Sequence, residues 1–243
     1  MTPADLDRVA DSLTTFHATF AVLFGRAAAQ QRSEQYLRGL LVQHADRRNA
    51  ENIAEAVPGA TARSLQRFLT DAPWSLRSVI AALHAFLAPR LSSAAGIFIF
   101  DETAAAKQGK CSVGVARQYS GTLGKVGSCH VGVVLAYASP LGHALLDGDL
   151  YLPQEWIADP ARCKAAGGPP NSTLQTKGDL ALTLLQRTQQ TGHLRGHWVT
   201  GDAVYGSDAV LRDAVDHAAR SYVVEVRCNE RVFTSRPATA VPA

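Results

Sequence analysis

Along the first third of the chain, apolar residues recur at intervals of three and four. Leu6, Val9, Leu13, Phe16, Phe20 and Leu23 fall on one helical face, and Tyr36, Leu37, Leu40 and Leu41 make a second. Ile53, Ala54 and Val57 predict a short helix that Pro58-Gly59 breaks. Thr61 is the expected N-cap of a helix carrying Leu65, Phe68 and Leu69. Leu76, Val79, Ile80, Leu83 and Phe86 continue the pattern to Pro89, so residues 1–91 read as a helical domain. Short helix, glycine turn, second helix is the outline of a helix-turn-helix. Arg63 and Arg67 stand four apart on its second helix and share a face, where they can meet phosphates or base edges. An ordinary helical hairpin with solvated arginines has the same pattern, and both readings stay open at this point.

The pattern changes near Gly96. "GIFIFD" is a short apolar strand ending in acid, and "CSVGVARQY" and "HVGVVLAYAS" alternate as neighbouring antiparallel strands do. "GHALLDGDLYLP" reads as a further, irregular strand. Thr176 caps a helix bearing Leu180, Leu184 and Leu185 that stops at Gly192. "HWVTGD" is a second strand ending in acid, "SDAVLRDAVDHAA" a helix and "SYVVEV" a strand. Strands first, then alternating helix and strand, predict an α/β (α+β) unit over 96–230: a mixed sheet with flanking helices. Residues 231–243, with the tail "RPATAVPA", are expected to be disordered.

Composition changes little. Of the 243 residues, 47% are hydrophobic and 19% charged, as in ordinary globular proteins, and the net charge of +3 neither demands nor excludes nucleic acid. The four cysteines form no C-x-x-C pair, which argues against a structural zinc site, and scattered reduced cysteines fit a cytoplasmic protein. The N-terminus does not read as a signal peptide, and no run approaches the ~18 apolar residues of a membrane span.

The candidate chemistry lies where two strands end. Asp101 follows "IFIF" and Asp202 follows "WVTG". If those strands are neighbours, two carboxylates meet at one point and repel unless a cation intervenes. Hard oxygen donors with open positions favour Mg²⁺ or Mn²⁺. Alternatively each aspartate only ends a strand and caps a turn. Lys107, Lys110, Arg117 and Lys125 follow Asp101 with no acid among them, and they could neutralise phosphates beside an ion. They would equally suit a solvated basic hairpin. The glycines of this stretch do not form a nucleotide P-loop. Ser112, His130 and Asp147 can be drawn as a triad, but no G-x-S-x-G surrounds the serine.

Three long phrases carry a resemblance. "DETAAAKQGKCSVGVARQYSGTLGK", "VGVVLAYASPLGHALLDGDLYLPQEW" and "WVTGDAVYG" resemble the insertion-sequence transposases of the DDE superfamily, and "FHATFAVLFGRAAAQQRSEQYLRGLL" with "ENIAEA…SLQRFL" extends the likeness from about residue 13 to 230. The resemblance implies a ribonuclease H-like fold and a metal site of three acids, the first on Asp101 and the second on Asp202. It implies hydrolysis of a phosphodiester at a transposon end, then attack on target DNA. The implied cofactor is Mg²⁺ or Mn²⁺. The implied partners are double-stranded DNA, at transposon ends and target, and another copy of the chain or a full-length transposase. The implied setting is the cytoplasm, at the nucleoid.

The chain also departs from that pattern. Ala203 stands where the family usually has glutamate, and Ala104, Ala105 and Ala106 replace its usual "GF" and following residue. The implied third acid is a glutamate on a helix beyond "SYVVEV"; Glu225 and Glu230 come too early for that role, and Ala243 follows soon after. The expectation is therefore a C-terminally truncated copy with a partial ribonuclease H-like core and little activity of its own, or a DNA-binding remnant that competes with full-length copies.

Overall fold

The computed structural model describes residues 2–44, 48–121 and 124–230; the tail expected to be disordered lies outside them. The chain divides into two compact units, 1–83 and 84–243.

In the first unit, α1 (Pro3–Ala21), a 3-10 turn (Val22–Phe24), α2 (Ala27–Val42), α3 (Ala50–Ala56) and α4 (Ala62–Thr70) follow the helical periodicity. Thr61 caps α4 as expected, accepting from the Ser64 N–H while Ser64 reaches back to the cap. The α3 and α4 pair closes over Ile53, Val57 and Leu65, with Tyr36 and Leu40 of α2 packed against them. Helix α2 can lie this close because of Gly39, where a Cβ would stand 2.2 Å from an Ile53 methyl. Arg32 and Gln35 of α2 donate to the Gly59 and Pro58 carbonyls, 3.3 Å each, and fix the turn between α3 and α4. Phe24, Phe68 and Trp74 form an aromatic cluster with centroids 5.6–5.7 Å apart.

Helix α5 (Leu76–Leu91) leads to the second unit, whose sheet has the order β2-β3-β1-β5-β6, with β4 also on β3. The strands are β1 (Ile97–Ala106), β2 (Ala116–Ser120), β3 (Lys125–Ser139), β4 (Gly142–Leu150), β5 (Trp198–Gly201) and β6 (Ser221–Val224). β3 runs antiparallel to β1, β2 and β4, whereas β5 and β6 run parallel to β1. Four antiparallel strands, β1 to β4, and two parallel ones, β5 and β6, form the mixed α/β sheet expected.

Alternation on β3 buries Val131, Val133, Leu135 and Tyr137 on one face. Phe98 and Phe100 of β1 lie opposite Tyr137 and Leu135, and Val199 of β5 lies beside Phe98, so all share that face. It packs with α8 (Lys177–Gln190), capped by Thr176 as expected, and α10 (Ala209–His217), through Leu184, Leu185, Leu211 and Val215. A bulge between Leu135 and Ala136 of β3 leaves Leu146 of β4 unmatched, so both Leu146 and Asp147 are buried. Arg187 of α8 then clamps Asp147 at 2.9 Å and Asp149 at 2.7 Å. Among the described residues no helix is long and apolar enough to cross a membrane.

One local expectation changes. The sequence pattern ends the strand at Asp101, but β1 continues to Ala106 because β3 pairs with it that far, to Cys129. Two short helices, α6 (Gln154–Ile157) and α7 (Pro160–Ala165), for which the sequence pattern sets no expectation, follow β4, held by buried Trp156 and Cys163.

Candidate metal and nucleic-acid site

The β1–β5 register runs from Ile97 opposite Trp198 to Phe100 opposite Gly201. The next residue on each strand is an aspartate. Asp101 and Asp202 therefore occupy neighbouring positions across a strand pair, and neighbouring strands stand about 4.8 Å apart. Phe100 is buried and Asp101 exposed, as the pleat requires, so Asp101 sits on the sheet face opposite Phe98 and Phe100. Asp202 keeps extended backbone (φ −73°, ψ −174°) and caps a short helix, α9 (Ala203–Gly206), accepting from the Val204 N–H at 2.9 Å. Asp101 Oδ1 accepts from the Glu102 N–H at 2.7 Å. Neither carboxylate forms an ion pair among the described residues. The capping reading of Asp202 and the juxtaposition of the two acids thus hold together.

Glu102 points away from this pair. It bonds Lys177 of α8 at 2.5 Å on the helix-covered side, and its other oxygen is buried without a hydrogen bond. Glu225 follows Val224, which lies opposite Gly201, so it stands one strand beyond Asp202 and about two strand spacings from Asp101. Among the described residues no three His, Cys, Asp or Glu side chains group to hold a metal.

Tyr205 was not singled out by the sequence, although it lies only three residues past Asp202. It is fully buried, packs against Phe100 with centroids 5.6 Å apart and the rings tilted by 38°, and donates its hydroxyl to the Asp101 carbonyl at 3.1 Å. Burial pushes its phenol well above the ordinary value, and the Glu102, Asp202 and Asp101 carboxylates push it further the same way.

The basic residues divide. Lys107 and Lys110 are exposed in the loop after β1. Arg117 lies opposite Ser128 and Lys125 opposite Ser120, three positions apart along the hairpin, so the pleat sends them to opposite faces. Arg63 and Arg67 are exposed on α4 of the first unit, and Arg67 bonds Asp71 at 3.3 Å, an exposed pair of small worth. Sequence reasoning missed Arg162 of α7. Its guanidinium stacks on Trp156, 3.8 Å from the ring centroid, and donates to the Lys110 carbonyl at 3.1 Å. Trp156 donates its indole N–H to the Val115 carbonyl at 2.9 Å. Two side chains of α6 and α7 therefore fasten both ends of the basic loop.

Of the drawn triad, Asp147 is bound by Arg187. His130 has its pKa lowered by burial and by nearby Lys107. All four cysteines are free, Cys111 and Cys228 exposed, Cys129 and Cys163 buried.

A family model described as DDE superfamily endonuclease matches residues 19–243. A protein of Microchaete diplosiphon, described as a probable transposase for insertion sequence element IS701, is 28% identical over 199 residues, which cover 82% of this chain and 49% of that protein. The chain spans about half the length of that relative.

Proposed function

The chain belongs to the DDE superfamily endonucleases, and on that premise we propose that it acts in DNA transposition, with Asp101 and Asp202 holding Mg²⁺ or Mn²⁺ beside a transposon end. The observation that supports the reading is the register: two exposed aspartates at neighbouring positions of a strand pair, neither in an ion pair among the described residues. The donor set suits a hard divalent cation, since like charges so placed repel and oxygen donors with free positions suit Mg²⁺ and Mn²⁺. When bound, such an ion supplies charge neutralisation at the scissile phosphate and activation of the attacking oxygen.

The chain's own residues supply the rest. Lys107 and Lys110 contact phosphates on the strand that reaches the acids, with Arg162 holding their loop in place. Arg117 and Lys125 contact phosphates from opposite faces of the hairpin. Arg63 and Arg67 read or grip the end sequence through the helix-turn-helix. The working place is the nucleoid in the cytoplasm.

Catalysis by this chain alone is weak. No third acid joins the pair among the described residues. A misplacement of ~1 Å can cost about 10²-fold in rate, so an ion held by two acids cleaves poorly. This favours a second reading: a DNA-binding protein that occupies transposon ends and competes with full-length copies, or takes its third acid from one.

One gel tests both. A labelled duplex carrying the end of the chain's own element is incubated with the protein at low salt, with and without Mg²⁺. The expected result is a shift that persists in Asp101→Ala, weakens in the Arg63→Ala/Arg67→Ala double variant, and is accompanied by only trace nicking. No shift with the parent chain would sink the DNA reading. Strong nicking that survives Asp101→Ala would sink the site.

A further inference from the structure

The β1–β5 ladder closes at Phe100 and Gly201, one residue before both aspartates. Beyond it, β1 is still held on its far side, where Asp101 lies opposite Val134 of β3. Asp202 has no such continuation, because the chain turns into α9. The separation of the two acids is therefore set by how α9 is seated on β1.

Tyr205 makes that seat. Its N–H donates to the Asp202 carbonyl at 3.1 Å, closing the first turn of α9. Its ring lies over Phe100 and fills the space above Gly201, where an added Cβ would stand 3.1 Å from the Tyr205 Cβ. Its hydroxyl donates to the Asp101 carbonyl, the next β1 carbonyl past the end of the ladder. One side chain thus starts from the turn that Asp202 caps and ends on the backbone of Asp101.

We propose that Tyr205 is a positioning residue: by bridging α9 and β1 it holds Asp101 and Asp202 in register and sets the affinity of the pair for a divalent cation. The inference rests on the reading of the two aspartates given above. Removing an outer-shell partner of a metal ligand typically weakens metal binding about 10–100-fold. Tyr205 acts through backbone rather than on a carboxylate, so the low end applies.

Tyr137 provides a matched control. It too is fully buried in the sheet, and it too donates its hydroxyl to a backbone carbonyl, that of Arg195 at 2.6 Å. It lies opposite Phe98, at the other end of the strand pair from the acids. Loss of the Tyr205 hydroxyl removes its bond to the Asp101 carbonyl, whereas loss of the Tyr137 hydroxyl removes its bond to Arg195 and the one it accepts from the Ser93 N–H at 3.0 Å; only the first touches the site.

The experiment is a Mn²⁺ titration of the full chain at pH 7, with free Mn²⁺ read by electron paramagnetic resonance and folding checked by circular dichroism and thermal melting. Tyr205→Phe is expected to bind Mn²⁺ about tenfold more weakly than the parent. Tyr137→Phe is expected to stay within twofold of it, even with an equal or larger drop in melting temperature. Tyr205→Phe within twofold of the parent overturns the inference and leaves the metal site standing. A parent chain that binds no better than Asp101→Asn overturns the metal reading and this inference with it. Should Tyr205→Phe not fold, Phe100→Leu decides: it loosens the seat of the ring and keeps the hydroxyl, so weaker Mn²⁺ binding supports the inference and unchanged binding overturns it.

Discussion

Replacing Asp101 by asparagine should stabilise the metal-free chain. The substitution keeps the acceptor used by the Glu102 N–H at 2.7 Å, and it removes one of two like charges on neighbouring strands. Two unit charges ~4.8 Å apart repel by about 0.9 kcal/mol at the dielectric constant of water and about 3.5 kcal/mol at an effective value of 20. Asp101 is exposed, so the lower figure governs, about 1 kcal/mol before screening by salt. In a unit of this size 1 kcal/mol corresponds to a shift of about 2–4 °C in Tm. A divalent ion reverses the order. At 100 times its Kd it stabilises the parent by about 2.7 kcal/mol and the variant far less. The assay is differential scanning calorimetry at low ionic strength, in EDTA and then in Mg²⁺. Asp101→Asn should melt a few degrees above the parent in EDTA and below it in Mg²⁺. A variant that melts lower in EDTA, or Mg²⁺ shifts equal in both proteins, would refute the reasoning.

Other expectations follow from packing, burial and charge. Gly39→Ala places a methyl against Ile53 in the core of the first unit, so it should lower that unit's stability by about 1–3 kcal/mol in chemical denaturation and weaken DNA binding through unfolding. His84 is buried between Thr191 and the Leu146 carbonyl, and burial depresses its pKa, opposed by that carbonyl and Asp147 and reinforced by His193. A depressed histidine contributes stability above its unfolded pKa of about 6.5 and loses it as pH falls. Melting temperature should therefore drop from pH 7 to pH 5, and less steeply in His84→Gln; an unchanged slope would exclude His84 as a source. The Arg63→Ala/Arg67→Ala variant should reduce the slope of log K against log salt by up to about 1.8 if both contact phosphates, measured by fluorescence anisotropy with duplex DNA.

Much of the fold was legible because its signals are local. Thr61 and Thr176 announce their helices, since a capping side chain bonds within three residues. β3 announces itself by alternation over Val131 to Tyr137. The aspartates were legible as a pair of strand-end acids, but sequence could not show that Phe100 lies opposite Gly201, because register is a tertiary property. Three features escaped for related reasons. Helices α6 and α7 are only four and six residues long, and tertiary contacts through Trp156 and Cys163 sustain them. Reading residues 107 to 125 as one basic surface overlooked the pleat, which separates Arg117 from Lys125. Tyr205 looks in sequence like any core aromatic; its bond to Asp101 spans 104 residues.

The central claim is that Asp101 and Asp202 form one cation site. Its most direct test is anomalous diffraction from crystals of the full chain soaked in Mn²⁺. The account predicts a manganese peak within bonding distance of both carboxylates. A peak elsewhere, or an ordered Asp101 and Asp202 turned away from each other with no ion between them, would contradict it.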